Sequence, residues 1–142
     1  MKTTTKTILK TKTIRQTVIF DATPKEIYEM YMDSKKHSKF TGSKAKISRN
    51  VGGSFNVYQG SLSGKNVKLI PDKLIVQTWQ CIMGDQEWPR NHYSILTLKL
   101  SKTKTGTRLS LIQTDVPSAC VMDIKNGWKE FYWEPMKKLL IS

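Results

Sequence analysis

VMDIKNGWKEFYWEPMKKLL, residues 121–140, carries the strongest periodic pattern in the chain. Its large apolar residues recur at steps of three and four, which places them on one face of an α-helix. They are Ile124, Trp128, Phe131, Tyr132, Met136, Leu139 and Leu140. A helix that buries three large aromatic side chains needs a broad apolar surface to lie on. We expect a curved antiparallel sheet to supply that surface.

Pro135 interrupts the helical pattern. Proline removes a backbone donor, and its ring clashes with the preceding turn of an α-helix. We therefore expect a kink at this position, or a break between two helical pieces.

The chain before this helix contains short segments that alternate between apolar and polar residues, which predicts strands. A first strand is expected near residues 12–20. Thr23-Pro24-Lys25-Glu26 then forms a capping box with proline at the first helical position. A second short helix is expected over 34–40, ending at Gly42. Further strands are expected at 45–48, 54–59, 66–70, 74–82, 92–101 and 107–114, with a bend at 60–64.

This order of elements predicts an α+β domain. Two short helices follow the first strand, five or six antiparallel strands come next, and the long helix closes the chain. We expect one domain over residues 13–142, preceded by a basic N-terminal arm, residues 1–12, without regular structure. The polar faces of the strands favour a monomer.

The charge is the compositional outlier, with 24 Lys and Arg against 11 Asp and Glu and a formal net charge of +13. The excess has two interpretations, namely solubility or attraction to an acidic protein, nucleic acid or membrane surface. Twenty of the 24 basic residues are lysines. Lysine dominance argues against base-specific nucleic-acid readout, which relies on the planar arginine fork.

Several classes of function are disfavoured by what the sequence contains. No apolar run approaches the length of a membrane span, and the N-terminus has no secretory h-region, so we expect a cytoplasmic protein. The two cysteines have no metal-ligand spacing, and we expect no cofactor. His37 stands among lysines and is expected to be solvated. His92 is expected to be structural or interfacial, although pairing with Asp85 or Glu87 would make it a base. We find no candidate active site and predict that the protein is not an enzyme.

Seven short segments follow the order of motifs in one protein family. They are 23–28 (TPKEIY), 52–55 (GGSF), 63–64 (SG), 71–79 (PDKLIVQTW), 88–98 (WPRNHYSILTL), 113–117 (QTDVP) and 127–134 (GWKEFYWE). Over residues 13–140 the chain resembles the domain at the C-terminus of the activator of heat-shock-protein-90 ATPase. Pro135 is a departure, because the family more often has glycine there.

The resemblance implies a helix-grip fold, in which a sheet of seven antiparallel strands wraps around the C-terminal helix. It also implies a co-chaperone that docks on heat shock protein 90 and stimulates its ATPase. In full-length relatives a separate N-terminal domain drives most of the activation, and this chain has no room for it. We expect partner contacts from the basic arm, the hairpin near residue 50 and the loop at 88–92. The residues predicted to bind the partner are Lys6, Lys10, Lys12, Arg49, Asn50, Trp88, Arg90 and His92.

The alternative function is that of a carrier for a small apolar ligand, held in a cavity between the C-terminal helix and the sheet. Trp79, Trp128, Tyr132 and Met136 are predicted to line that cavity. A cavity of roughly 300 Å³ or more would admit such a ligand, and a filled core would not. RNA binding is disfavoured because the aromatic residues occupy core-facing positions rather than a displayed sheet face.

Overall fold

A computed structural model describes residues 9–82 and 87–141 of the protein. The strands are β1 (Thr11–Phe20), β2 (Lys46–Ile47), β3 (Ser54–Val57), β4 (Leu62–Ile70), β5 (Leu74–Cys81), β6 (Ser94–Lys102) and β7 (Thr107–Pro117). The helices are α1 (Pro24–Met32), α2 (Ser34–Thr41), α3 (Val121–Gly127) and α4 (Glu134–Leu140), with a π-helical turn (Trp128–Trp133) between the last two. A 3-10 turn (Ser118–Cys120) precedes α3.

The seven strands form one antiparallel sheet in the order β1-β7-β6-β5-β4-β3-β2. Strands β2 to β7 are neighbours in sequence order, and β1 joins the free edge of β7. Both α1 and α2 are inserted between β1 and β2, so the two edge strands lie on either side of this helical insertion in the sequence. The predicted sheet and the two short helices are confirmed.

The two short helices begin and end where the sequence indicates. Thr23 accepts a hydrogen bond from the backbone amide of Glu26 at 3.1 Å, and the Glu26 carboxylate accepts from the backbone amide of Thr23 at 3.2 Å. These reciprocal bonds satisfy amides that the helix leaves unpaired. Gly42 ends α2 with a φ of 72°, a left-handed conformation that glycine adopts without a steric penalty.

The C-terminal helix, which comprises α3, the π-helical turn and α4, keeps helical dihedrals throughout. The backbone does not leave the helical conformation at Pro135, and the disturbance that the sequence predicted there takes the form of the π-helical turn between α3 and α4. Within the π-helical turn the Glu134 amide donates to the Lys129 carbonyl, five residues back. Such a turn is wider than an α-turn and directs the Phe131 carbonyl away from the Pro135 ring. The proline is accommodated by one extra residue in the turn before it.

The π-helical turn also changes which aromatic side chains are buried. Tyr132 and Trp133 both face the core, whereas Phe131 is 43% exposed. The expectation that Phe131 lies on the buried stripe is wrong, because the extra residue rotates the face of the helix. Trp133 stacks on Trp128 with ring centroids 5.4 Å apart, and its Nε1 donates to Gln16 Oε1 at 2.7 Å.

The core lies between the inner face of the sheet and the C-terminal helix. Alternate residues of β1, β5, β6 and β7 point inward, and the most deeply buried of these apolar residues are Ile14, Phe20, Ile75, Leu96, Leu98, Leu109 and Leu111. Several boundaries differ from the sequence interpretation by a few residues, and two of these differences change the description of the chain. Strand β1 begins at Thr11, inside the expected arm, and β4 runs through Gly64, where a bend was expected. Residues 1–8 lie outside the described part of the chain.

Candidate functional site

A pocket of about 380 Å³ opens between the C-terminal helix and one end of the sheet. Residues of β4 and β5 form one wall of the pocket, and the C-terminal helix forms the wall that faces it. The segment after β3 adds a residue between these two walls. The large apolar and aromatic side chains that line it are Tyr58, Leu62, Trp79, Ile124, Trp128, Phe131 and Tyr132. The polar and small residues of the lining are Cys81, Asp123, Asn126, Gly127 and Glu130.

The polar residues occupy the mouth of this pocket. Asp123, Asn126 and Glu130 are exposed and follow one another at helical steps of three and four, so they share the side of the helix that faces the pocket. Cys81, by contrast, is 3% exposed. The pocket therefore has an apolar interior and a carboxylate-bearing mouth.

The ionisable groups inside the pocket are uncharged near neutral pH. Burial raises the pKa of the Cys81 thiol to about 12, with smaller contributions from Cys120 and Asp123. Burial likewise raises the pKa of the Tyr132 hydroxyl well above its usual value. In both cases the charged form would lose hydration that the surrounding apolar atoms cannot replace. The interior offers no thiolate nucleophile.

Two buried hydrogen-bonded chains hold the pocket walls in place. In the first, Trp128 Nε1 donates to Gln113 Oε1, Gln113 Nε2 donates to Ser94 Oγ, and Ser94 Oγ donates to the Trp79 carbonyl, at 2.9, 2.9 and 2.8 Å. The chain connects the helix to β7, β6 and β5. The chain thus joins the Trp128 indole to the backbone of Trp79, and the centroids of the two indole rings lie 5.5 Å apart.

The second chain runs through His37, which is 1% exposed. His37 Nδ1 lies 2.7 Å from the Tyr31 carbonyl, so this nitrogen carries the proton and donates. Its Nε2 consequently accepts from the Tyr132 hydroxyl at 2.9 Å. Burial lowers the pKa of His37 to about 4, although the bond to Tyr31 opposes this shift. The expectation that His37 is solvated is wrong, because it is a neutral core histidine.

The same chain continues from α1 along the inner face of the sheet toward β2. Tyr31 Oη donates to Gln77 Oε1 and Gln77 Nε2 donates to Asn66 Oδ1, both at 2.9 Å. Asn66 Nδ2 then donates to the carbonyls of Ser48 and Asn50 at 2.7 and 3.0 Å. The polar residues that cross the core thus link α1 and α2 to the helix and to the hairpin after β2.

The predicted cavity residues are placed as follows. Trp79, Trp128 and Tyr132 contribute to the pocket lining. Met136 does not, because it is fully buried one helical turn beyond Tyr132. The sequence interpretation omitted the carboxylates Asp123 and Glu130, although their spacing of seven residues would have placed them on one side of a helix.

Most of the predicted partner-binding residues gather at one end of the sheet. Lys10 accepts a hydrogen bond from the Ser118 amide, and Lys12 pairs with Val116 in the register of β1 and β7. His92 Nε2 donates to the Asp115 carbonyl at 2.6 Å, one residue from Val116. The backbone carbonyl of Arg90 accepts from Gln80 Nε2. Lys6 lies outside the described residues.

Three of the predicted contact residues have structural roles. Trp88 is 5% exposed, and its Nε1 donates to the His92 carbonyl at 2.8 Å, so its side chain supports the loop instead of forming a surface. Arg49 donates to the Glu29 carboxylate at 2.6 Å. Asn50 shapes the turn after β2 through its backbone. Strands β2 and β1 form opposite edges of the sheet, so these last two lie away from Lys10 and Lys12.

The outer face of the sheet, meaning the outward-pointing residues of β1, β4, β5, β6 and β7, is basic. Register places Arg15 beside Ile112, which pairs in turn with Thr97, and it places Arg108 between Ile19 and Ser101. The exposed basic residues of this face are Arg15, Lys65, Lys68, Lys99 and Arg108. Asp115, near the end of β7, is the one Asp or Glu in these five described strands, and it is exposed. The face is a broad positively charged surface that the sequence interpretation did not single out.

A sheet of seven antiparallel strands closed by a long C-terminal helix defines the helix-grip class of proteins. The sequence model for "Activator of Hsp90 ATPase homolog 1-like protein" matches residues 21–140. The chain therefore belongs to this family.

Individual relatives agree with this assignment. "Activator of 90 kDa heat shock protein ATPase homolog 2" from Mus musculus is 28% identical over 132 residues, which are 93% of this chain and 39% of the relative. The Dictyostelium discoideum activator homologue is 31% identical over 120 residues, 84% of this chain and 30% of the relative. The chain thus spans less than half the length of these curated relatives.

The fold is also similar to solved structures. The crystal structure described as an HSP90 activator from Plasmodium falciparum superposes with a TM-score of 0.83 at 22% identity, covering 90% of this chain and 95% of that one. This likeness concerns the fold. No helix among the described residues is long and apolar enough to cross a bilayer.

Proposed function

We propose that this protein is a co-chaperone module that docks on an acidic surface of heat shock protein 90 through the outer face of its sheet. The observation that carries the proposal is the excess of exposed basic residues over acidic ones on the strands of that face, in a member of this family. Opposite charge accelerates encounter with an acidic partner and fixes orientation more than it raises final affinity. The bound module would then influence ATP turnover by the chaperone.

Lys10, Lys12, Arg90 and His92 extend this surface at the end of β1 and β7. Their positions are consistent with contact at the rim, where charges act mainly on the association rate. Trp88 contributes by fixing the loop that carries Arg90 and His92. We assign Arg49 and Asn50 no contact in this orientation, because they lie at the opposite sheet edge.

The test uses the triple variant Arg15→Glu/Lys99→Glu/Arg108→Glu, which reverses the charge of the outer face. Its association with heat shock protein 90 from the same organism should be at least about tenfold slower at low ionic strength, because steering is lost. The difference should shrink at physiological salt, where exposed charges are screened beyond about 8 Å. Surface plasmon resonance at both salt concentrations measures the rate, and a coupled assay follows ATP turnover.

A matched control is Lys25→Glu/Lys35→Glu/Lys36→Glu, which makes the same change in net charge on α1 and α2. These lysines are exposed and lie in the first turns of their helices, where glutamate is favourable. The control should associate faster than the outer-face variant. Equal rates for the two variants would show that only net charge matters, and absence of wild-type binding at low salt would refute docking altogether.

A second function, carriage of a small apolar ligand, is favoured by the pocket of about 380 Å³. That volume lies within the range of small-molecule sites, and its walls are mostly apolar and aromatic. Leu62→Trp would fill the interior. The variant should lose binding of a hydrophobic fluorescent probe while keeping its association with the chaperone, whereas retention of the probe would place it outside this pocket.

A further inference from the structure

We infer that the pocket takes a small organic amine, with an apolar or aromatic body inside and a protonated nitrogen at the mouth. The inference rests on the second proposed function, carriage of a small ligand, and specifies the chemical class of that ligand. It runs against the net charge of the chain, which by itself would favour an anion.

The two carboxylates at the mouth carry the inference. Asp123 and Glu130 both line the pocket, seven residues apart on one side of the helix. Neither belongs to an ion pair within the described ranges, in which Arg49–Glu29 is the pair observed. The lining contains no Lys, Arg or His. Lys125 and Lys129 lie on the same helix but do not contribute to the lining. A cation at the mouth would therefore meet two unpaired negative charges and no positive one.

The chain as a whole makes this arrangement unusual. Basic residues outnumber acidic ones by 24 to 11, so a randomly chosen stretch of surface is expected to be positive. An anionic ligand such as a fatty acid would be drawn to the outer face of the sheet and repelled at the pocket mouth. Because the pocket mouth carries carboxylates while the rest of the surface is mostly basic, a cationic ligand is attracted to the mouth and repelled elsewhere.

The pocket walls add a second source of selectivity. Trp79 and Trp128 present indole rings whose centroids are 5.5 Å apart, and Tyr132 lies with its ring centroid 4.8 Å from that of Trp128. Indole faces attract cations within about 6 Å, and they pack equally well against an apolar body. The buried, neutral thiol of Cys81 favours an uncharged part of the ligand beside it.

The experiment compares three probes that share a naphthalene body: 2-(naphthalen-2-yl)ethylamine, 2-(naphthalen-2-yl)ethanol and naphthalen-2-ylacetic acid. Isothermal titration at pH 7 measures affinity, and the indole N–H resonances of Trp79 and Trp128 report the site. We expect the amine to bind at least about tenfold tighter than the acid, with the alcohol between them. Raising the salt concentration should reduce this ratio.

The variant Asp123→Asn/Glu130→Gln should bring the ratio of amine to acid affinity close to one while leaving the affinity for the alcohol unchanged. Its matched control is Asp21→Asn/Asp72→Asn, which removes two carboxylates at the opposite end of the sheet. Asp72 lies in the turn that joins the end of β4 to the start of β5, and Asp21 directly follows the last residue of β1. The pocket lies at the other end of β5, near Cys81. The control should keep the wild-type ratio.

Each outcome decides a different claim. Equal affinity for amine and alcohol, or tighter binding of the acid, would overturn selection of a cation while leaving a pocket that binds apolar molecules. Failure of all three probes to shift the two indole resonances would overturn ligand binding itself. Docking on heat shock protein 90 is measured separately with the outer-face variant, so neither result bears on it.

Discussion

Replacement of His37 by glutamine should remove a specific part of the pH dependence of stability. His37 is buried, and its pKa falls to about 4 in the folded protein against about 6.5 in the unfolded chain. Between these values the unfolded state binds more protons than the folded state, so stability decreases as the pH falls. Glutamine retains a donor and an acceptor but does not titrate.

The size of the effect follows from the two pKa values. Relative to pH 7, protonation of His37 in the unfolded chain lowers the free energy of unfolding by about 2 kcal/mol at pH 5 and about 3 kcal/mol at pH 4. This contribution is fully present above about pH 6.5 and is lost as the pH falls through about 4. Carboxylate titrations affect the wild type and His37→Gln alike, so they cancel in the difference.

Urea denaturation followed by tryptophan fluorescence at pH 7, 6 and 5 measures this difference. The stability of the wild type minus that of His37→Gln should decrease by about 2 kcal/mol from pH 7 to pH 5. The matched substitution outside the core is His92→Gln, which exchanges the second of the chain's two histidines and leaves the hydrogen bonds of His37 in place. Parallel curves for the wild type and His37→Gln, or a native His37 titration midpoint near 6.5 by NMR, would refute the reasoning.

The remaining predictions concern close approaches and the buried thiol. Gly64→Ala should destabilise the protein by at least about 2 kcal/mol in urea denaturation, since its Cβ would lie 1.8 Å from the Thr78 carbonyl oxygen, and a stability equal to wild type would contradict that contact. Gly127→Ala is the matched comparison, because a Cβ there meets no atom closer than 3.7 Å; it should leave stability unchanged or raise it by up to about 1 kcal/mol. Cys81 should resist a disulfide-exchange reagent at pH 8 in the native protein and react rapidly in urea, because its raised pKa leaves about one thiolate in ten thousand; rapid native labelling at Cys81, located by peptide mapping, would contradict its burial.

The sequence was sufficient to predict the sheet and the two short helices, because their signals are local. The capping box at Thr23, the glycine at position 42 and the alternation along β6 each specify backbone geometry without knowledge of distant residues. Three of the five aromatic residues that line the pocket, Trp79, Trp128 and Tyr132, were predicted from the helical stripe and from one strand tryptophan.

The errors occur where distant contacts decide the outcome. His37 has exposed lysines at positions 35, 36 and 39, yet helical spacing places it beside the buried Phe40, and Tyr31 and Tyr132 then complete its hydrogen bonds. The spacing of three residues between His37 and Phe40 indicated that both lie on the buried face of α2. The charges of the neighbouring lysines hid this indication. The exposure of Phe131 could not be derived in this way, because steps of three and four fit an α-turn and a π-turn almost equally over six residues.

The basic outer face and the acidic pocket mouth also depend on assembly. Arg15 and Arg108 are 93 positions apart in sequence and share a face only because β1 and β7 are neighbours in the sheet. Asp123 and Glu130 can be assigned to one side of a helix from their spacing, but which side opens to solvent depends on how that helix lies across β5. Net charge alone predicts neither location.

Pro135 also determines where the extra residue of the π-helical turn must stay. In a helix without proline, such an insertion can move along the chain. It does so because each backbone amide can switch its hydrogen bond from the carbonyl four residues back to the carbonyl five residues back. Pro135 has no amide hydrogen to exchange, so the insertion cannot pass it toward the C-terminus. Trp128, Tyr132 and Trp133 are consequently held in one register at the pocket. We therefore expect the protein to tolerate deletion of one residue from this turn only if Pro135 is replaced as well. In related sequences, the length of this segment and the residue at position 135 are expected to change together.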